Sequence, residues 1–156
     1  MEYLINYNNE TTEQLVDMVH KMDGLPLKEM KIKDLVYHNG KPIYTGNGVY
    51  IFKSPVRYYY VGNCVARNFV ERIPAHFDIR KSGWFNSLLK AIIKDEKKVK
   101  IEITDLLLES AASFAFENLN LILINFNEYN RTEINNLENI LGKTLKPLNN
   151  RFNRLR

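Results

Sequence analysis

Few side chains in this sequence of 156 residues stand at a type and spacing that suggests chemistry. The three histidines are scattered, and the one cysteine, Cys64, is most simply a small buried hydrophobe. The sequence has no glycine-rich phosphate loop, paired-histidine metal motif or Gly-x-Ser-x-Gly turn. Tyr50 and Tyr60 remain, with Arg72 and Glu117 among the many charged residues that follow. A phenol can accept a proton, a guanidinium can bind an anion and a carboxylate can hold a hard cation.

Three predicted elements must position these side chains. Two β-rich runs, Gly48–Phe52 and Tyr58–Gly62, flank a Ser54-Pro55 turn and predict a hairpin that carries both tyrosines. A helix begins near Asn68 and passes Arg72, and Pro74 must end or kink it. Glu117 falls on a helix predicted from Ser110 to about Ile124.

The remaining pattern predicts a small mixed α/β (α+β) domain with a leading helix. Thr11 and Gln14 form a capping box ahead of an apolar stripe, which predicts the first helix. A helix over Trp84–Lys94 and a last helix from Thr132, stopped by Gly142, are also predicted. Val99, Ile101 and Ile103 alternate with charged residues, which predicts a third strand.

Gly48-Val49-Tyr50 and Tyr60-Val61-Gly62, nine residues apart, resemble the signature of the GIY-YIG nuclease family. The family then shows an arginine, often a nearby histidine, a glutamate in an E-x-x-x-[LI]-I-like helix and a later asparagine. Arg72, His76, Glu117 and Asn130 match that order. The resemblance covers roughly residues 46–130 and implies a three-stranded antiparallel sheet flanked by helices, here with an extra N-terminal helix and a C-terminal helix.

The resemblance also implies a role for each matched residue. Tyr50 is the general base, provided that nearby cations lower the pKa of its phenol from about 10, and Tyr60 orients water or phosphate. Arg72 binds the phosphate, and His76 holds a tyrosine hydroxyl or touches the phosphate. Glu117 binds one Mg²⁺ (or Mn²⁺), and Asn130 fills the last position of the catalytic set.

Several assignments have alternatives. Arg67 competes with Arg72, since twelve residues separate Tyr60 from Arg72 and this implies an insertion near Cys64. Asn127 competes with Asn130. Tyrosines in strands usually pack, and Arg72 and Glu117 can equally be solvated helix residues.

The predicted elements and the extent of the resemblance together define the expected domain organisation. Residues 1–45 form an N-terminal helical extension packed on the core, residues 46–130 the nuclease-like core, and residues 131–156 a C-terminal helix and basic tail, all in one globular unit.

Composition excludes several classes of protein. Hydrophobic residues make up 45% and charged residues 26% of the chain, which is typical of a folded domain. The longest nearly apolar run, 119–126, is too short for a membrane span, and the start Met1-Glu2-Tyr3 lacks the pattern of a signal peptide. A single cysteine suits a reducing compartment, so we expect a cytoplasmic protein without a membrane partner.

The net charge of +4 is a weak bias, but basic residues cluster at 80–100 and 143–156, which suits a polyanion. We expect a metal-dependent endonuclease that acts on nucleic acid, with double-stranded DNA favoured over RNA, as a possible homodimer or with a partner protein. Low-specificity candidates for nucleic-acid contacts are Arg67, Arg80, Lys81 and Trp84. The alternatives are a non-cleaving nucleic-acid-binding or regulatory protein on the same fold, and an interaction module that uses the acidic helix at 11–22.

Overall fold

The computed structural model describes residues 2–83 and 85–149, and this part of the chain folds into five α-helices and a mixed sheet. The helices are α1 (Thr12–Lys21), α2 (Phe69–Ala75), α3 (Ser87–Lys97), α4 (Asp105–Asn118) and α5 (Arg131–Leu145). The strands are β1 (Leu4–Tyr7), β2 (Leu25–Pro26), β3 (Tyr37–His38), β4 (Lys41–Pro42), β5 (Gly48–Lys53), β6 (Tyr58–Cys64) and β7 (Asn120–Phe126). The predicted mixed α/β class is confirmed. Within the same range, no helix has both the length and the apolar character to cross a membrane.

The main sheet has the strand order β1-β7-β5-β6, and β2 pairs with the start of β7. β5 is antiparallel to both of its neighbours, whereas β1 is parallel to β7. The predicted hairpin is therefore present as β5 and β6. Its register sets Tyr50 opposite Gly62 on β6 and Leu123 on β7. β3 and β4 form a separate two-stranded sheet.

Alternation of side chains along β5 divides the interior into two hydrophobic clusters, one on each face of the sheet. Tyr50 and Phe52 belong to the cluster that includes apolar residues of α2, α3 and α4. Val49 and Ile51 belong to the cluster that includes apolar residues of α1 and α5. The central strands are thus buried on both sides, between two layers of helices.

Helix α1 begins as predicted. Thr11 Oγ1 accepts a hydrogen bond from the Gln14 amide at 3.1 Å, and the Thr11 amide donates to Gln14 Oε1 at 2.9 Å. Leu15 and Val19 are buried in the second cluster. The apolar stripe of this helix is therefore used in the core, which removes the main argument for an interaction module.

The predicted third strand at Val99–Ile103 is wrong. The strand that pairs with the hairpin, along β5, is β7. Val99 is 68% exposed and lies outside any strand. Helix α4 ends at Asn118, so the segment assigned to its second half, up to Ile124, is extended instead. A central strand that is covered on both faces has a continuous apolar sequence without alternation. The hydrophobic periodicity of such a sequence does not distinguish a strand from a buried helix.

The predicted three-stranded antiparallel sheet is also wrong. Residues 1–45, expected to be a helical extension, contribute β1 and β2, so the main sheet has five strands in the described part of the chain. The Leu123 amide donates to the Tyr3 carbonyl at 2.7 Å, which ties β1 to the central strand. β1 has four residues and β2 has two, too few to show a period in the sequence.

The close approach of β7 at the start of β5 predicts that Gly48→Ala destabilises the protein. A Cβ at this position would lie 1.9 Å from the carbonyl oxygen of Ile124. A central strand cannot move aside without breaking its hydrogen bonds, so we expect a loss of about 3 kcal/mol in the free energy of unfolding. Urea unfolding measures this loss.

Gly40→Ala is the matched control. Gly40 has φ +77° and no heavy atom within 4 Å of an added Cβ, so it reports backbone strain alone, roughly 1 kcal/mol. Equal losses in the two variants would contradict the steric explanation.

Candidate active site

Tyr50 and His76 form a buried polar pair on the first face of the sheet. Tyr50 is 1% exposed and His76 is fully buried. Tyr50 Oη lies 2.5 Å from Nε2 of His76, which is the C-cap residue of α2. Among the described residues, His76 Nδ1 has no hydrogen-bond partner. The structure therefore brings together two residues that the sequence predicted for the site.

Tyr60 completes an aromatic group with this pair. Its ring stacks on Tyr50 at 6.0 Å and meets the His76 ring edge-on at 4.6 Å. Tyr60 Oη lies 2.9 Å from Ser87 Oγ at the start of α3. Both tyrosines of the two tripeptides thus point to the same side of the sheet.

Gly62, the last residue of the second tripeptide, leaves room for the Tyr50 ring. A Cβ at Gly62 would lie 2.5 Å from both Cζ and Oη of Tyr50. The glycine is therefore required for the position of the tyrosine that faces it across the hairpin.

Arg72 extends from helix α2 to the end of strand β6. This helix begins at Asn68, whose side chain accepts from the Glu71 amide at 3.1 Å, and Pro74 lies in its last turn. Arg72 Nε donates to the Asn63 carbonyl at 3.3 Å, and the guanidinium carbon lies 4.1 Å from the centroid of the Phe85 ring. The competing Arg67 is exposed in the loop between β6 and α2.

Glu117 and Asn130, also predicted for the site, are not brought to it. Glu117 is exposed near the end of α4, and no hydrogen bond or ion pair in the described part of the chain joins it to Tyr50, Tyr60, Arg72 or His76. Asn130 is the N-cap of α5, where its Oδ1 accepts from the Glu133 amide at 3.0 Å. Asn127, the alternative to Asn130, is exposed.

Glu138 is a carboxylate that contacts the edge strand β6 from α5, on the opposite face from Tyr50 and Tyr60, and the sequence reasoning missed it. It is 5% exposed on α5, and its Oε1 accepts from Asn63 Nδ2 at 2.9 Å. The sequence contains an indication that Glu138 is buried, because it interrupts the apolar stripe formed by Ile134, Leu137 and Leu141. An acid inside such a stripe is buried beside the core, where it needs partners.

Asn149, after the end of α5, also contacts β6 and was not predicted. Its Oδ1 accepts from the Val61 amide at 3.2 Å, and its Nδ2 donates to the Val61 carbonyl at 3.1 Å. Asn149 follows eleven residues after Glu138, and both side chains contact β6. Gly142 and Lys143 stand four and five residues after Glu138, so the glutamate pattern expected at Glu117 is not repeated there.

Burial sets the protonation states of the site. It raises the pKa of Tyr50 well above its usual value; the charges of Tyr60, Cys64 and Glu138 act in the same direction, and Arg72 opposes them. Burial, and then the charge of Arg72, lowers the pKa of His76 to about 3. Both groups are neutral at pH 7, so Tyr50 does not have the lowered pKa that its role as a ready-made base required.

Arg80 and Lys81, two of the candidate nucleic-acid contacts, are paired with acidic side chains. Arg80 forms a two-pronged ion pair with Asp78, at 2.9 and 2.7 Å, and Lys81 Nζ lies 3.3 Å from Glu102. Both basic residues line an open cleft of about 900 Å³ with Ser82, Thr104, Asp105 and Leu106. Trp84 lies outside the described residues. The acidic partners reduce the attraction of this surface for phosphates.

Comparisons of the chain with protein-family models, with curated proteins and with solved structures find no match.

The burial of His76 predicts acid sensitivity. Its pKa is about 3 in the folded protein and near 6.5 when unfolded. Between these values the unfolded chain binds a proton that the folded chain does not, so stability falls as the pH falls. We expect the free energy of unfolding to decrease between pH 6 and 4 by about 1.4 kcal/mol per pH unit more in wild type than in His76→Gln.

The measurement is urea unfolding of both proteins across this pH range. The carboxylates titrate in both, so the difference between the two curves isolates His76. Parallel curves would contradict a buried, neutral His76.

Proposed function

We propose that this chain is a metal-dependent endonuclease of the GIY-YIG type, which hydrolyses phosphodiester bonds in nucleic acid and favours double-stranded DNA. The observation that carries the proposal is the arrangement of five side chains around strands β5 and β6. Tyr50, Tyr60 and His76 contact one another on one face of the sheet. Arg72 and Glu138 both hydrogen-bond to Asn63 on the edge strand β6, and the charges of both act on Tyr50.

Arg72 is proposed to bind the scissile phosphate. Its Nε is used by the Asn63 carbonyl and one face of its guanidinium by Phe85. The Nη groups then bind phosphate oxygens, since a planar guanidinium offers a fork that matches them.

Tyr50 and His76 are proposed to act as a relay for the proton of the attacking water. The water gives its proton to Tyr50 Oη, and the Tyr50 proton passes over the 2.5 Å contact to His76 Nε2. Burial and, to a smaller extent, the charge of Arg72 lower the pKa of His76, and a phosphate bound to Arg72 would offset the second of these. Substrate binding thereby makes His76 a better proton acceptor.

Glu138, in place of Glu117, is proposed to hold Mg²⁺ or Mn²⁺. Residues 2–83 and 85–149 contain no group of three or more His, Cys, Asp or Glu side chains arranged for a metal ion. One buried carboxylate nevertheless fits, because Mg²⁺ is often held by one or two carboxylates together with substrate phosphate and water. When bound, the ion supplies charge stabilisation to the leaving oxygen.

The test replaces each of the two glutamates by glutamine. Glu138→Gln should remove Mg²⁺-dependent nicking of supercoiled plasmid, because a neutral amide is a weaker ligand for a hard cation. Glu117→Gln, on the surface of α4, is the matched control and should nick at the wild-type rate. The measurement is the nicking rate against Mg²⁺ concentration, with EDTA as the zero point and thermal melts of both variants.

Two outcomes separate the alternatives. Loss of nicking in folded Glu117→Gln and not in Glu138→Gln would restore the role first expected of Glu117. A wild-type protein that binds duplex DNA and never cuts it would favour the non-cleaving nucleic-acid-binding protein.

A further inference from the structure

Asn63, near the end of β6, contacts both charged residues of the site. Its carbonyl oxygen accepts from Arg72 Nε at 3.3 Å. Its side-chain Nδ2 lies 2.9 Å from Glu138 Oε1 and 3.1 Å from Asn135 Oδ1, both on α5. One residue thus connects the arginine of α2 with the glutamate of α5.

The position on an edge strand explains how one residue reaches two helices. β6 is the last strand of the sheet, so the carbonyl of Asn63 is available to a side chain outside the sheet. The side chain lies on the opposite face from Tyr60 and meets α5 there. The amide nitrogen carries two hydrogens, which allows it to donate to Asn135 and Glu138 at once.

We propose that Asn63 is a positioning residue that fixes the Glu138 carboxylate relative to the Arg72 guanidinium, for a phosphodiester and its divalent cation. This role rests on the proposed function. A carboxylate and a guanidinium attract each other, and a substrate phosphate and a cation need both groups held in separate places. The Asn63 amide binds one carboxylate oxygen and the Asn63 carbonyl binds Nε, so the spacing of the two charges is set by the backbone of β6.

Removing the amide should weaken metal use and leave the fold intact. Hydrogen-bond partners of metal ligands typically change metal affinity or activity by 10–100-fold when mutated. We expect Asn63→Ala to raise the Mg²⁺ concentration for half-maximal cleavage by about tenfold, with most of kcat recovered at saturating Mg²⁺. Asn63→Leu keeps the volume of the side chain without the amide, and should show the same shift if the alanine variant does not fold.

Asn135→Ala is the matched control, because it removes the other acceptor of the same NH2 group and leaves the contact with Glu138. Its Mg²⁺ requirement should equal that of the wild type. An equal rise in Asn135→Ala would assign the effect to the packing of α5 on β6, and would overturn the proposal.

A second readout does not depend on cleavage. Mn²⁺ bound to the complex with duplex DNA is measured by electron paramagnetic resonance in a Tyr50→Phe background, where cutting is not expected. The Asn63→Ala change should weaken Mn²⁺ binding about tenfold. A wild-type chain that cuts nothing contradicts the proposed function, whereas a cutting wild type with an unchanged metal requirement in both Asn63 variants contradicts only the role of Asn63.

Discussion

The hydrogen bond between Tyr50 and His76 is the contact on which the candidate site depends. Both side chains are buried among aromatic rings, where an unpaired polar group is costly, and Tyr50 Oη and His76 Nε2 supply each other with a hydrogen-bond partner. The contact also fixes the end of α2 against the central strand β5. Gly62 makes it possible, because any larger residue there would collide with the Tyr50 ring. The tyrosine of the first tripeptide therefore depends on the glycine of the second for its position.

Around this contact, the site is assembled at the edge of the sheet. Helix α2 approaches β6 from one face and α5 from the other, and Arg72 and Glu138 both reach Asn63. The chain after α5 then runs along the same edge, where the amides of Leu148 and Asn149 donate to carbonyls of β6. An exposed edge strand invites unwanted pairing, and here the chain itself and the charged side chains occupy it.

Local signals in the sequence predicted much of this arrangement. The hairpin, the capping box of α1 and the short helix that ends just after Pro74 follow from turn, cap and proline chemistry acting within a few residues. Tyr50, Tyr60 and His76 lie together because the hairpin and the next helix are neighbours in the chain.

The remainder depends on contacts between distant segments. β7 could not be separated from a helix because its burial on both faces erases alternation, and β1 is defined mainly by pairing with it. Glu117 and Glu138 both lie on helices near apolar residues, and only the packing of α5 on β6 decides which one contacts the hairpin. The pKa of Tyr50 is raised and not lowered, because desolvation by burial outweighs the nearby cation Arg72.

The most direct test of a catalytic role for Tyr50 is the single-turnover rate of plasmid cleavage by Tyr50→Phe, measured beside duplex binding. The change removes one hydroxyl, and we expect the cleavage rate to fall by about 10²–10⁴ with nearly unchanged binding. Tyr58→Phe is the control, because Tyr58 also pairs with a histidine, His20, at 2.6 Å, outside the site. Cleavage by Tyr50→Phe at the wild-type rate would contradict a catalytic role for Tyr50.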